Sequence, residues 1–104
     1  MSIAPQDCRT MEELRAGIDE IDRRIVALLA ERVRFIDRAA EIKAAADIPA
    51  RVPARVEEVV LKVKRAAESS GMDADLAEKI WREMIEWSIA REERVLGPSD
   101  DAGA

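Results

Sequence analysis

The chain has 104 residues, of which 48% are hydrophobic, 3% aromatic and 38% charged, with a net charge of −5. That is one domain's worth of chain with room for a single core, and its negative balance excludes attraction of nucleic acid by bulk electrostatics. It has no histidine, no tyrosine and one cysteine, Cys8, which removes His-based triads, His metal sites and an internal disulfide.

The first ten residues, MSIAPQDCRT, form a short extension before the first helical pattern. No basic start followed by an apolar run is present, so no secretory leader is expected, and a lone thiol fits a reducing cytoplasm, the expected location. No window approaches 18 uninterrupted apolar residues, so no membrane partner is expected either. The pattern predicts an all-α chain, three helices with no strand.

The first helix is expected from about Met11 to about Ala46. Thr10 is its N-cap, and Glu13 three residues on completes a capping-box pattern. Its apolar stripe runs Leu14, Ile18, Ile21, Ile25, Leu28, and the same rhythm then meets Arg32 and Lys43. A helix of this length is about 54 Å long. A compact monomer of this size has a radius of gyration of about 13 Å. The seam therefore needs a partner, and the simplest is a second copy with the long helices intertwined in a homodimer. The bland alternative is a plain coiled-coil adaptor.

The loop DIPARVPAR, stiffened by Pro49 and Pro53, adds the cations Arg51 and Arg55. The second helix is expected to begin near Pro53 and to carry Val56, Val59, Val60 and Val63 on one side. Ser69-Ser70-Gly71 should stop it, with glycine as a left-handed cap. Asp73 is the expected cap of the third helix, whose apolar places are Leu76, Ile80, Met84, Ile85 and Val95, with Trp81 and Trp87 as packing residues. Gly97-Pro98 should end it. The expected organisation is thus an N-terminal extension over 1–10, a helical domain over 11–97 and a disordered tail over 98–104.

Arg32 and Lys43 lie 11 residues apart, about three turns, so they point the same way roughly 16 Å apart and can converge on one small anion. Each could instead snorkel to the edge or pair with Glu31, Asp37 or Glu41. The third helix turns polar on its inner face at a matching stage, at Ser88 and then Glu92. Buried charge is costly unless paired, so inward polar residues on two helices look like the lining of a pocket. Arg15 lies roughly 25 Å before Arg32 along the axis. It could reach such a pocket only in the partner of an antiparallel dimer.

With Leu14-Arg15, IDEIDRRIVALLAERV, Lys43, the loop with Arg55, and MIEWSIARE in place, the sequence resembles the all-helical (AroQ-type) chorismate mutases over about residues 8 to 96. QDCRTMEELRAGIDEID and the loop IPA also resemble isochorismate pyruvate lyase, a relative on the same fold. The resemblance implies a small dianionic substrate, chorismate or isochorismate, with no cofactor and no metal. Arg32 and the partner's Arg15 would grip its carboxylates, Arg55 would hold it from the loop side, and Ser88 would add a hydroxyl contact. Lys43 would donate to the ether oxygen, and Glu92 would contact that same oxygen. Lys43, Glu92 and Arg32 are the expected catalytic groups.

Two departures from the family pattern matter. Glu92 stands where bacterial members often have glutamine, and an ionised carboxylate cannot donate to an ether oxygen. The resemblance therefore implies that Glu92 carries its proton; the alternative is a Glu92–Lys43 salt bridge. Val52 and Val56 stand where acidic residues would recognise the ring hydroxyl, with Glu57 or Glu58 as substitutes. The implied activity is conversion of chorismate to prephenate in Phe/Tyr biosynthesis. Isochorismate pyruvate lyase and a non-catalytic dimerisation module are the alternatives.

Overall fold

A computed structural model describes residues 3–99. The described residues form a short 3-10 turn (Pro5–Asp7) and three α-helices, α1 (Met11–Ala46), α2 (Pro53–Ser70) and α3 (Ala74–Leu96), with no strand among them. No described helix is long and apolar enough to cross a membrane.

The helix ends follow from local chemistry. The Thr10 hydroxyl accepts from the Glu13 N–H at 3.1 Å, and the Glu13 carboxylate reaches back to the Arg9 N–H at 3.0 Å. This is a capping box displaced by one residue. α1 stops where Asp47 takes φ 60°, a left-handed conformation that Asp tolerates, and the Ile48 N–H bonds back to the Lys43 carbonyl at 2.9 Å. Pro53 opens α2 as expected, since its missing N–H costs nothing in a first turn. Gly71, at φ 79°, closes it, with the Met72 N–H on the Ala67 carbonyl at 2.8 Å. The Asp73 carboxylate caps α3 by accepting from the Leu76 N–H at 2.9 Å.

The chain divides into two compact units, Met1–Phe35 and Ile36–Ala104. In the first, α1 shows Ile18, Ile21, Ile25 and Leu28 about half exposed or more in the single chain. The segment Ile3–Cys8 lies beside Leu14, Ile18 and Ile21 across a shallow groove.

In the second unit α2 and α3 pack against each other. Ion pairs fix the direction: Arg51, just before α2, meets Glu86, and Glu57 and Lys64 on α2 meet Arg82 and Glu78. As the number rises along one partner it falls along the other, so the two helices run antiparallel. The core between them holds Ala50, Val60, Ile85 and Ile89, with Val56, Val59, Trp81 and Leu96 against it.

The valine face of α2 is as expected, but the buried strip of α3 is not quite the expected one. Leu76, Ile80 and Val95 are exposed, and Ala77, Ile85, Ser88, Ile89 and Glu92 are buried. Relative to Leu76 and Ile80 the strip is displaced by one residue, about 100° of helix. The face is chosen by what α2 offers, and Ala77 lets the backbones approach where Leu76 would not. Trp81 packs as expected, whereas Trp87 is exposed beneath the Arg91 guanidinium at 5.5 Å. The expected tail beyond Ser99 lies outside the described residues.

Candidate active site

Lys43 is the last cation of α1, and its position is set by the helical register from Ala40, which is buried. Its ammonium donates to the Glu92 Oε1 at 2.8 Å and to the Ala50 carbonyl at 2.8 Å. Glu92 is 5% exposed and the Lys43 side chain 22%. Ser88, one turn before Glu92 on α3, is also buried, and no described buried side-chain polar atom is left without a partner.

α3 puts Ser88 and Glu92 on the same line because they are four residues apart. The Lys43–Glu92 contact joins residues 49 apart in sequence, so only the folded chain makes it. Asp37 on α1 holds Arg91 on α3 by two bonds, at 2.6 and 3.1 Å, which fixes the two helices beside the pair. The Arg91 hydrogen bond holds the Asp37 carboxyl below the ordinary aspartate range.

The expected site residues divide into three sets. Lys43, Ser88 and Glu92 lie together in the second unit, Lys43 and Glu92 in direct contact. Arg55 stands on the first turn of α2, exposed, and donates to Glu58 at 2.6 Å. Arg15, exposed, and Arg32, half-buried, belong to the first unit.

The candidates for ring-hydroxyl recognition are otherwise engaged. Val56 packs on the core, Glu57 pairs with Arg82, and Glu58 pairs with Arg55. The Arg82 hydrogen bond holds Glu57 low, and the Arg55 hydrogen bond holds Glu58 low. The physical reason is register: with Val56, Val59 and Val60 turned to the core, the two intervening glutamates face outward. The Ala50 carbonyl was not foreseeable as a Lys43 acceptor, because a backbone oxygen leaves no mark in the residue alphabet. A cleft of about 440 Å³ opens beside Lys43 between Asp47–Pro49 and Val95–Pro98.

The arrangement suits binding and polarising an anion rather than nucleophilic attack. One ammonium and one carboxyl are held in a largely water-excluded place, where electrostatic interactions are strengthened. No group of three or more metal-ligating side chains occurs among the described residues.

Residues 14–93 match the family model described as chorismate mutase type II. Several curated relatives are similar, among them the following three. The chain is 37% identical over 89 residues to the isochorismate pyruvate lyase of Pseudomonas aeruginosa, covering 85% of this chain and 86% of that one. It is 31% identical over 86 residues to the chorismate mutase of Methanocaldococcus jannaschii, covering 83% and 87%. It is 33% identical over 95 residues to the bifunctional chorismate mutase/prephenate dehydratase of Aquifex aeolicus, covering 85% of this chain but 26% of that one.

Proposed function

Because this chain belongs to the chorismate mutase type II family, we propose that it converts chorismate to prephenate at the Lys43–Glu92 site, as a step toward phenylalanine and tyrosine. The observation that carries the reading is the pair itself, a cation and a carboxyl 2.8 Å apart with Glu92 5% exposed. A buried ion pair is weak support for stability, since well-packed apolar residues do as well or better. Its presence on the inner face of a helical core favours a chemical use.

The rearrangement breaks the ether C–O bond as a C–C bond forms, in one concerted step with no nucleophile. The protein must hold the reactive chair-like conformer and stabilise negative charge developing on the ether oxygen. An ammonium has three N–H donors. Two of those on Lys43 are engaged with Glu92 and Ala50, leaving the third for the ether oxygen. Glu92 holds Lys43 in line by accepting its hydrogen bond, so that the ammonium faces the ether oxygen. Arg32, Ser88 and Arg55 bind the carboxylates and the loop side of the substrate. Arg15 is supplied by a second copy in a homodimer, which would cover the half-exposed stripe Ile18, Ile21, Ile25 and Leu28.

A second reading, isochorismate pyruvate lyase yielding salicylate and pyruvate, is favoured by the Pseudomonas relative, which is similar over most of both chains. The apolar Val52 and the core position of Val56 also leave the ring hydroxyl without its expected acidic partner. Supplying purified protein with chorismate and with isochorismate separately, and identifying the products, tests both. Prephenate from chorismate supports the first reading. Salicylate and pyruvate without prephenate replace it with the second, and no turnover of either removes both.

A further inference from the structure

We infer that the turn after α3 is a latch on the active-site loop, in which Ser99 positions Lys43 through Arg51 and Ala50. The inference rests on the proposed role of Lys43 toward substrate. Ser99 lies beyond the stretch 14–93 that matches the family model.

The loop between α1 and α2 has no regular structure, and its backbone groups must find partners elsewhere. Ala50 is 3% exposed, and its carbonyl accepts from the Lys43 ammonium at 2.8 Å. The adjacent residue, Arg51, is tied from two sides. Its N–H donates to the Ser99 hydroxyl at 2.9 Å, and its guanidinium makes two bonds to Glu86, at 2.9 and 2.6 Å. Ser99 is itself anchored, its N–H donating to the Glu93 carboxylate at 2.9 Å. That bond holds the Glu93 carboxyl below the ordinary glutamate range. Gly97, at φ 84°, turns the chain after α3 so that Ser99 reaches the loop.

The latch borders the cleft beside Lys43. Lys43, Asp47 and Pro49 form one side of that cleft, and Val95, Gly97 and Pro98 the other. The hydroxyl therefore joins the two walls at one place, Arg51. The Ala50 carbonyl and the Arg51 N–H belong to one planar peptide unit, so fixing the N–H fixes the orientation of the carbonyl. That carbonyl is one of two groups holding the ammonium. A loop held in this form before substrate arrives has less ordering cost to meet on binding.

The consequence is a KM effect. Ser99→Ala removes one hydrogen bond whose net contribution is about 0.5–1.5 kcal/mol, so KM should rise about two- to ten-fold with kcat within two-fold. Amide hydrogen exchange at Arg51 should quicken in the same variant, and Ser99→Thr, which keeps the hydroxyl, should restore both. An Arg51 amide no faster in Ser99→Ala would mean there is no latch. A faster amide with unchanged KM would mean the latch positions nothing. Loss of kcat together with melting temperature would mean Ser99 is only structural. Any of these overturns the inference in an enzyme that is otherwise active. A wild-type chain that turns over neither chorismate nor isochorismate instead removes the reading of the site on which the latch rests.

Discussion

Two kinds of ion pair of nearly equal length occur in the same unit. On the outer face of α2 and α3, Arg82 bridges Glu57 and Glu78, and Lys64 also meets Glu78, at 2.7 to 3.1 Å. Inside, Lys43 meets Glu92 at 2.8 Å. The outer side chains are 28% to 66% exposed; Glu92 is 5% exposed. Distance does not separate the two sets, but solvent does. Outside, water competes for each charge, so the pairs set the register of two helices and contribute little else. Inside, each charge depends on the other, and removing either leaves its partner stranded.

The largest test of that contrast is catalytic. Lys43→Ala should cut turnover of the true substrate by about 10²–10³-fold, the loss typical when one fixed donor to a developing charge is removed. Arg82→Ala should leave steady-state turnover within two-fold.

Stability should separate the sets next. Lys43→Met should destabilise the fold by about 3 kcal/mol, the low end for a broken buried pair because the Lys43 side chain keeps 22% exposure. Adding Glu92→Met should recover most of that loss in denaturant melts while activity stays absent. A double variant no more stable than the single one would place Lys43 among the surface pairs.

Glu92→Gln is a smaller change. An amide accepts from Lys43 and can also donate to an ether oxygen, so kcat/KM should stay within about ten-fold of wild type, at a barrier change near 1.4 kcal/mol. An inactive but folded Glu92→Gln enzyme would remove Glu92 from the proposed chemistry.

The outer pairs should give the smallest effects, and salt- and pH-dependent ones. Glu57→Gln should lower the melting midpoint slightly at low ionic strength and not at all near 1 M salt, where the screening length is about 3 Å. Hydrogen bonds from Arg82 hold Glu57 and Glu78 below the ordinary glutamate value of 4.5, as Arg51 does Glu86. A depressed carboxyl binds fewer protons folded than unfolded. Its contribution is therefore complete above about pH 4.5 and lost as pH falls through the lower, folded value. Acid titration of melting midpoints should show wild type losing more stability below pH 4.5 than Glu57→Gln.

The limits of each helix were legible in the sequence because a cap acts within one turn. Thr10 with Glu13, Gly71 and Asp73 each satisfy a backbone group within about one turn and Pro53 omits its own N–H, and each does so here. The inward polarity of α3 at Ser88 and Glu92 was legible too, since four-residue spacing alone aligns them. The choice between the adjacent strips Leu76–Ile80 and Ala77–Trp81 was not, because both are apolar and only the α2 valines decide which is covered. The sequence likewise placed Lys43 and Glu92 on helices without fixing that they touch. That contact, the Ala50 carbonyl beneath it and the Ser99 bond to Arg51 join residues 7 to 49 positions apart. Only the packing of the α1 end, the loop and α3 brings them within hydrogen-bond reach, because a side chain's partner across a core depends on where the backbones meet.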